Sequence, residues 1–126
     1  MRKRKLSLKS QARVRQTRNQ LSSLVLYQSI QTTLSKAKYA KSKMEKLLGD
    51  ARKLEGSNLV RKVTSELYGG ASKKFVDTFG MIESVSVYKI GTRSGDGAPM
   101  AIVRINSKTT EKVSQSDKKF QSKKDK

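Results

Sequence analysis

The apolar positions of this chain follow two rhythms, and the change between them divides it. From Ser10 to about Phe79 they recur every three or four residues, which gives a helix one buried side. From Val85 to Ile105 they alternate, as in a strand with one covered face. A first helix is expected over Ser10 to Tyr27, with Leu21, Leu24 and Val25 toward a core and Arg13, Arg15 and Arg18 on an exposed flank. Gln28 to Thr33 breaks the period. Ile30, Thr32 and Thr33 are β-branched, so a short strand is expected there, and Thr32 or Thr33 suits the N-cap of the next helix.

Leu34, Ala37, Ala40, Met44, Leu47, Leu48, Ala51 and Leu54 then mark helix two. Lys36, Lys38, Lys41, Lys43 and Lys46 fill its other sides, where long stems cover apolar surface and the ammonium stays outside. Glu55-Gly56-Ser57 is expected to end it, with Gly56 in the left-handed position. Ser57 or Asn58 should cap helix three, whose apolar side is Leu59, Val60, Val63, Leu67 and Tyr68. Gly69-Gly70 should stop it, and Ser72 should cap a helix four with Phe75, Val76 and Phe79 inward. Val85 to Ile90 and Met100 to Ile105 read as strands joined by a Gly- and Pro-rich loop, Gly91 to Pro99. The fold class is therefore α+β: two layers, a three-stranded mainly antiparallel sheet and about four helices.

Charge adds the function class. The 126 residues suit one small domain. Residues 1–44 contain no Asp or Glu and carry +12, residues 45–105 carry +3, and residues 106–126 carry +4. Met1-Arg2-Lys3-Arg4-Lys5 is too charged to bury itself, so it should order only when a partner neutralises it. From Asn106 the sizeable apolar residues are Val113 and Phe120, which suggests a flexible Lys-rich tail. The organisation is then a basic arm (1–9), an α+β domain (10–105) and a tail (106–126). A formal charge of +19 would repel itself in a compact monomer and favours a polyanionic partner. An acid-free leader running straight into an amphipathic helix fits nucleic acid.

The same composition excludes other classes. No Cys means no disulfide framework and no thiolate metal site, and no His removes the commonest general base and metal ligand. The ten acids form no recognisable pair, so no enzyme, cofactor or small-molecule substrate is expected. Leu24-Val25-Leu26-Tyr27 is too short to span a bilayer, and no membrane partner is expected. A DNA-compacting or RNA-chaperone protein is not excluded by this composition.

Arg93-Ser94-Gly95-Asp96-Gly97-Ala98-Pro99-Met100-Ala101 narrows this choice, together with Thr32-Thr33-Leu34-Ser35-Lys36-Ala37-Lys38 and the basic start. In family order these closely resemble the bacterial large-subunit ribosomal protein family numbered seventeen, from residue 1 to about Ile105. Arg18-Asn19 sits where that family has a like pair. Lys3 stands where the family usually has His, and Ser35 where it usually has Pro. Gly80 to Ser84 replaces its Gly-Gly-Tyr-x-Arg segment. The resemblance implies a structural constituent of the large ribosomal subunit in the cytoplasm. It also implies binding to large-subunit ribosomal RNA near the peptide exit tunnel, beside other ribosomal proteins.

On that reading Arg2, Lys3, Arg4, Lys5, Lys9, Arg13, Arg15 and Arg18 neutralise phosphates and release counterions. Asn19, Lys36, Lys38 and Arg93 complete the expected RNA-binding set. The loop from Gly91 has two readings: its glycines and Arg93 approach phosphate, or Asp96-Gly97 is turn chemistry with Asp96 capping its own loop. Tyr27, Tyr39, Tyr68 and Tyr88 could stack bases or sit at core edges.

Overall fold

The first two helices turn their apolar stripes onto one sheet, and the third and fourth pack against those two helices. The structure, a computed structural model, describes residues 8–108. The expectations for the arm before Leu8 and the tail after Lys108 lie outside the described residues. The order is α1 (Ser10–Tyr27), β1 (Ser29–Thr33), α2 (Leu34–Ala51), α3 (Gly56–Glu66), α4 (Gly69–Thr78), a single 3-10 turn (Phe79–Met81), β2 (Ile82–Thr92) and β3 (Pro99–Ser107). The sheet runs β1-β3-β2 and both pairings are antiparallel. This is the expected two-layer α+β fold.

Helix α2 lies against all three strands, and α1 lies against β1 and β3. Ala37 and Ala40 are fully buried on α2, and Ala101 faces them from β3's layer with no exposure. Small side chains at these positions let helix and sheet approach. Leu21, Leu24, Met44, Val63, Leu67 and Phe75 fill the centre between the layers with no exposed surface. Fully burying a side chain of this size contributes about 1.5–3 kcal/mol. Phe75 also stacks on Phe79, with ring centroids 6.1 Å apart.

Several boundaries differ from the sequence reading, each for a local reason. Helix α1 stops at Gln28, which takes φ 63 and donates its backbone N–H to Leu24 O at 2.8 Å. Non-glycine residues seldom adopt this conformation. Here the Gln28 carbonyl also accepts from Ile105 N at 2.9 Å, which fastens the turn to the sheet. Helix α2 ends at Ala51, earlier than Glu55, and Arg52 reaches over to donate to Ile82 O at 3.1 Å.

Gly56 does not terminate α2. It opens α3 at φ 56, so neither Ser57 nor Asn58 is the cap. None of the four described helices has a side-chain N-cap hydrogen bond; Thr33 holds the N-cap position of α2 without one. Leu67 is extended and buried, and it is this residue that ends α3. Gly69-Gly70 then begin α4. Ser72 lies one turn inside α4 and donates to Leu67 O at 3.3 Å. Val60 and Tyr68 face outward, away from the buried side proposed for them. Strand β2 starts three residues early at Ile82, and the register shifts at Glu83 and Ile90.

Candidate nucleic-acid interface

The N-terminal half of α1 has little to bury, because its apolar stripe begins only at Leu21. Lys9, Arg15 and Asn19 are consequently exposed, and they border a shallow trough along the helix with Gln16 and Gln20. Arg13 is half-buried and donates to Leu8 O at 3.3 Å. Across from it, α2 presents Lys36, Tyr39 and Lys43 at helical spacing along one side. Lys43 stands 5.7 Å from the Tyr39 ring centroid. Arg13, Thr17, Tyr39 and Lys43 line a groove of about 340 Å³ between α1, α2 and the end of α3. Glu66 also lines it, paired with Lys62 at 3.5 Å. Lys38 and Lys46 project from the outer side of α2, and Lys41 pairs with Glu45 at 3.6 Å. The exposed parts of α1 and the first half of α2 thus carry basic side chains and no acid. Arg2, Lys3, Arg4 and Lys5 lie outside the described residues.

Arg18 lines the same groove, but its guanidinium is engaged. Its Nη2 donates to Thr64 O at 2.8 Å and to Leu67 O at 3.0 Å, and its guanidinium carbon lies 4.1 Å from the Tyr68 ring centroid. Beside it, Ser22 Oγ accepts from Tyr68 N at 2.9 Å. Arg18 and Ser22 together clamp α1 to the α3–α4 junction: Arg18 satisfies carbonyls freed where α3 ends, and Ser22 takes up the Tyr68 N–H. The expected flank residue is part of the scaffold. Lys74 has a similar use, donating to Leu26 O at 2.7 Å near the negative end of α1. These partners are more than forty residues apart in sequence, so no local spacing signals them.

At the opposite end, Arg93 grips Asp96 with both arms of its guanidinium, Nε donating to Oδ1 at 3.0 Å and Nη2 to Oδ2. Asp96 Oδ1 also accepts from Ala98 N at 3.2 Å. Backbone bonds from Arg93 N to Ala98 O and from Gly97 N to Arg93 O close the loop, and Gly95 and Gly97 supply the positive φ angles it needs. Asp96 orders the loop. The hydrogen bonds from Arg93, then the one from Ala98, lower its pKa from 3.8 to about 2. A carboxyl whose folded pKa is depressed favours the ordered loop above its unfolded value and loses that contribution as pH falls through the folded value. The carboxylate's contribution to the closed loop should therefore be whole at neutral pH and fall away as pH drops from about 4 through about 2. A carbon-13 carboxyl titration should place the Asp96 midpoint near 2; a midpoint near 4 would show that the ion pair does not hold in solution.

Among the described residues, no three His, Cys, Asp or Glu side chains are grouped to hold a metal ion, and no helix is long and apolar enough to cross a membrane.

The family model described as ribosomal protein L17 matches residues 16–106. That span runs from the middle of α1 to the end of the sheet. Curated relatives agree over most of the chain. The large ribosomal subunit protein bL17 of Coprothermobacter proteolyticus is 35% identical over 113 residues, covering 80% of this chain and 92% of that protein. That of Endomicrobium trichonymphae is 37% identical over 108 residues, with the same shares. That of Pelagibacter ubique is 28% identical over 126 residues, covering 88% of this chain and 81% of the relative. With the family model matching residues 16–106 and relatives 35% and 37% identical over most of both chains, the chain belongs to the ribosomal protein L17 family.

Proposed function

We propose that this chain is a non-catalytic structural constituent of the bacterial large ribosomal subunit that binds large-subunit ribosomal RNA. The observation that carries the RNA reading is the acid-free run of 44 residues. Its described part, from Leu8, folds into α1, β1 and half of α2 with Lys9, Arg15 and Lys38 exposed. Such a surface gains free energy by releasing condensed counterions from the phosphate chain. The deep groove of an RNA helix hides its base edges, so shape, phosphate and 2′-hydroxyl contacts dominate.

In this arrangement the arm, residues 1–9, supplies Arg2, Lys3, Arg4, Lys5 and Lys9. The domain, residues 10–105, supplies Arg13, Arg15, Asn19, Lys36 and Lys38, with Lys43 added by the groove. The tail, residues 106–126, contributes further positive charge. Arg93 reaches phosphate only if the Asp96 pair opens or shares it. Family membership supports a seat near the outer end of the peptide exit tunnel, beside other ribosomal proteins, in the cytoplasm. Arg18 is left out of the contact set because carbonyls and Tyr68 occupy it.

Sucrose-gradient fractionation of lysate from cells making this chain tests the reading. Co-migration with the large subunit, persisting in moderately high salt, is the expected result. A soluble pool, or one that follows DNA, would favour a free nucleic-acid-binding protein instead.

A further inference from the structure

Helices α1 and α2 cover one face of the sheet, and no described element covers the other. On that open face the register lines up side chains in rungs. Gln31 of β1, Ile102 of β3 and Tyr88 of β2 form one rung; Ser29, Arg104 and Ser86 form the next. Tyr88 is 53% exposed, and no described element packs over it. The four tyrosines thus have different surroundings. The Tyr68 face is taken by Arg18, Tyr39 is half-buried beside Lys43, and Tyr27 projects from the end of α1. Tyr88 alone among them is set on the sheet itself, with Ile102 directly beside it and Gln31 on the far side of Ile102.

Polar groups frame this rung. Asn106 Nδ2 donates to Ser84 Oγ at 3.1 Å and to Ser86 Oγ at 2.6 Å. Those bonds leave the amide oxygen as an acceptor and the two hydroxyl protons as donors. Arg104 is exposed on the neighbouring rung, and neither rung contains an acid.

The geometry points to the open sheet face as a platform for an unpaired RNA nucleotide, its base stacked on Tyr88 and its phosphate near Arg104. Charge complementarity selects this occupant: the rungs offer a cation and hydrogen-bonding groups and no anion. Sheets that read single-stranded RNA use aromatic side chains in this way, because every base has a stackable face. The platform rests on the RNA reading above, but it uses a face remote from the basic surface of α1 and α2.

The full chain, its Tyr88→Leu variant and its Tyr88→Phe variant would be titrated into a short fluorescent single-stranded oligouridylate. Leucine keeps apolar bulk without a ring, and phenylalanine keeps the ring. Tyr88→Leu should weaken binding about five- to tenfold with an unchanged salt slope, while Tyr88→Phe stays within about twofold of the parent. In the unsubstituted chain, 4-thiouridine in the oligonucleotide should photo-crosslink to the peptide carrying Tyr88, a readout that does not depend on any variant folding. Unchanged affinity for Tyr88→Leu, or crosslinks confined to α1 and α2, would overturn the platform while sparing the RNA reading. Unchanged RNA affinity with exclusion of Tyr88→Leu from assembled particles would make the face a protein-docking surface. Failure of the parent to bind either the oligonucleotide or ribosomal RNA would overturn the RNA reading itself.

Discussion

Replacing Arg2, Lys3, Arg4, Lys5 and Lys9 together by glutamine should lower affinity for deproteinised large-subunit RNA about a thousandfold at physiological salt. Each neutralised phosphate contributes about 0.7 to 0.9 to the slope of log affinity against log salt, so five lost contacts should flatten that slope by about 4. The melting temperature should hardly move, because Lys9 is exposed and the other four residues precede the helix. The substitution keeps the backbone through Leu8 and Lys9, whose carbonyls accept from Arg13. A slope unchanged by the five substitutions would remove the arm from the binding account.

Arg18→Ala should give the opposite pattern: a lower melting temperature with RNA affinity nearly kept. Hydrogen bonds from a charged donor are worth about 1.5–3 kcal/mol, and a cation over an aromatic face about 0.5–1 kcal/mol at exposed sites. One of the two carbonyl bonds is solvent-exposed, so a net cost of about 2 kcal/mol is the reasonable figure. At 4–8 °C per kcal/mol for a domain of this size, melting should fall by about 10 °C. The salt slope should stay as it was. A melting temperature that holds while the slope drops by about 1 would return Arg18 to the phosphate-binding surface.

These two cases show what the sequence could and could not convey. The apolar periods of α1, α2 and the hairpin are strong because each element covers one side of a single core, and period follows directly from that geometry. Leu21, Met44, Phe75 and Val103 were readable for that reason. Helix ends were less readable. The cap expected at Ser57 or Asn58 is not used because Gly56 already opens α3, and the one at Ser72 is not used because the path between α3 and α4 is set by burial of Leu67 and by Arg18 and Ser22, residues far away in sequence. The basic surface was legible as charge. Its division into exposed residues such as Arg15 and engaged ones such as Arg18 required the packing of α1 on α3 and α4. The open sheet face was hidden for a related reason. Alternation shows that a strand has two sides, but only the register across three strands puts Gln31, Ile102 and Tyr88 on one rung.

The most direct test is equilibrium binding of the unsubstituted chain to deproteinised large-subunit RNA over a series of salt concentrations, with small-subunit RNA as competitor. The account predicts a steep linear loss of affinity, with a slope corresponding to roughly six to ten phosphates, and retention of the large-subunit complex against the competitor. A flat salt response, or equal displacement by the competitor, would contradict it.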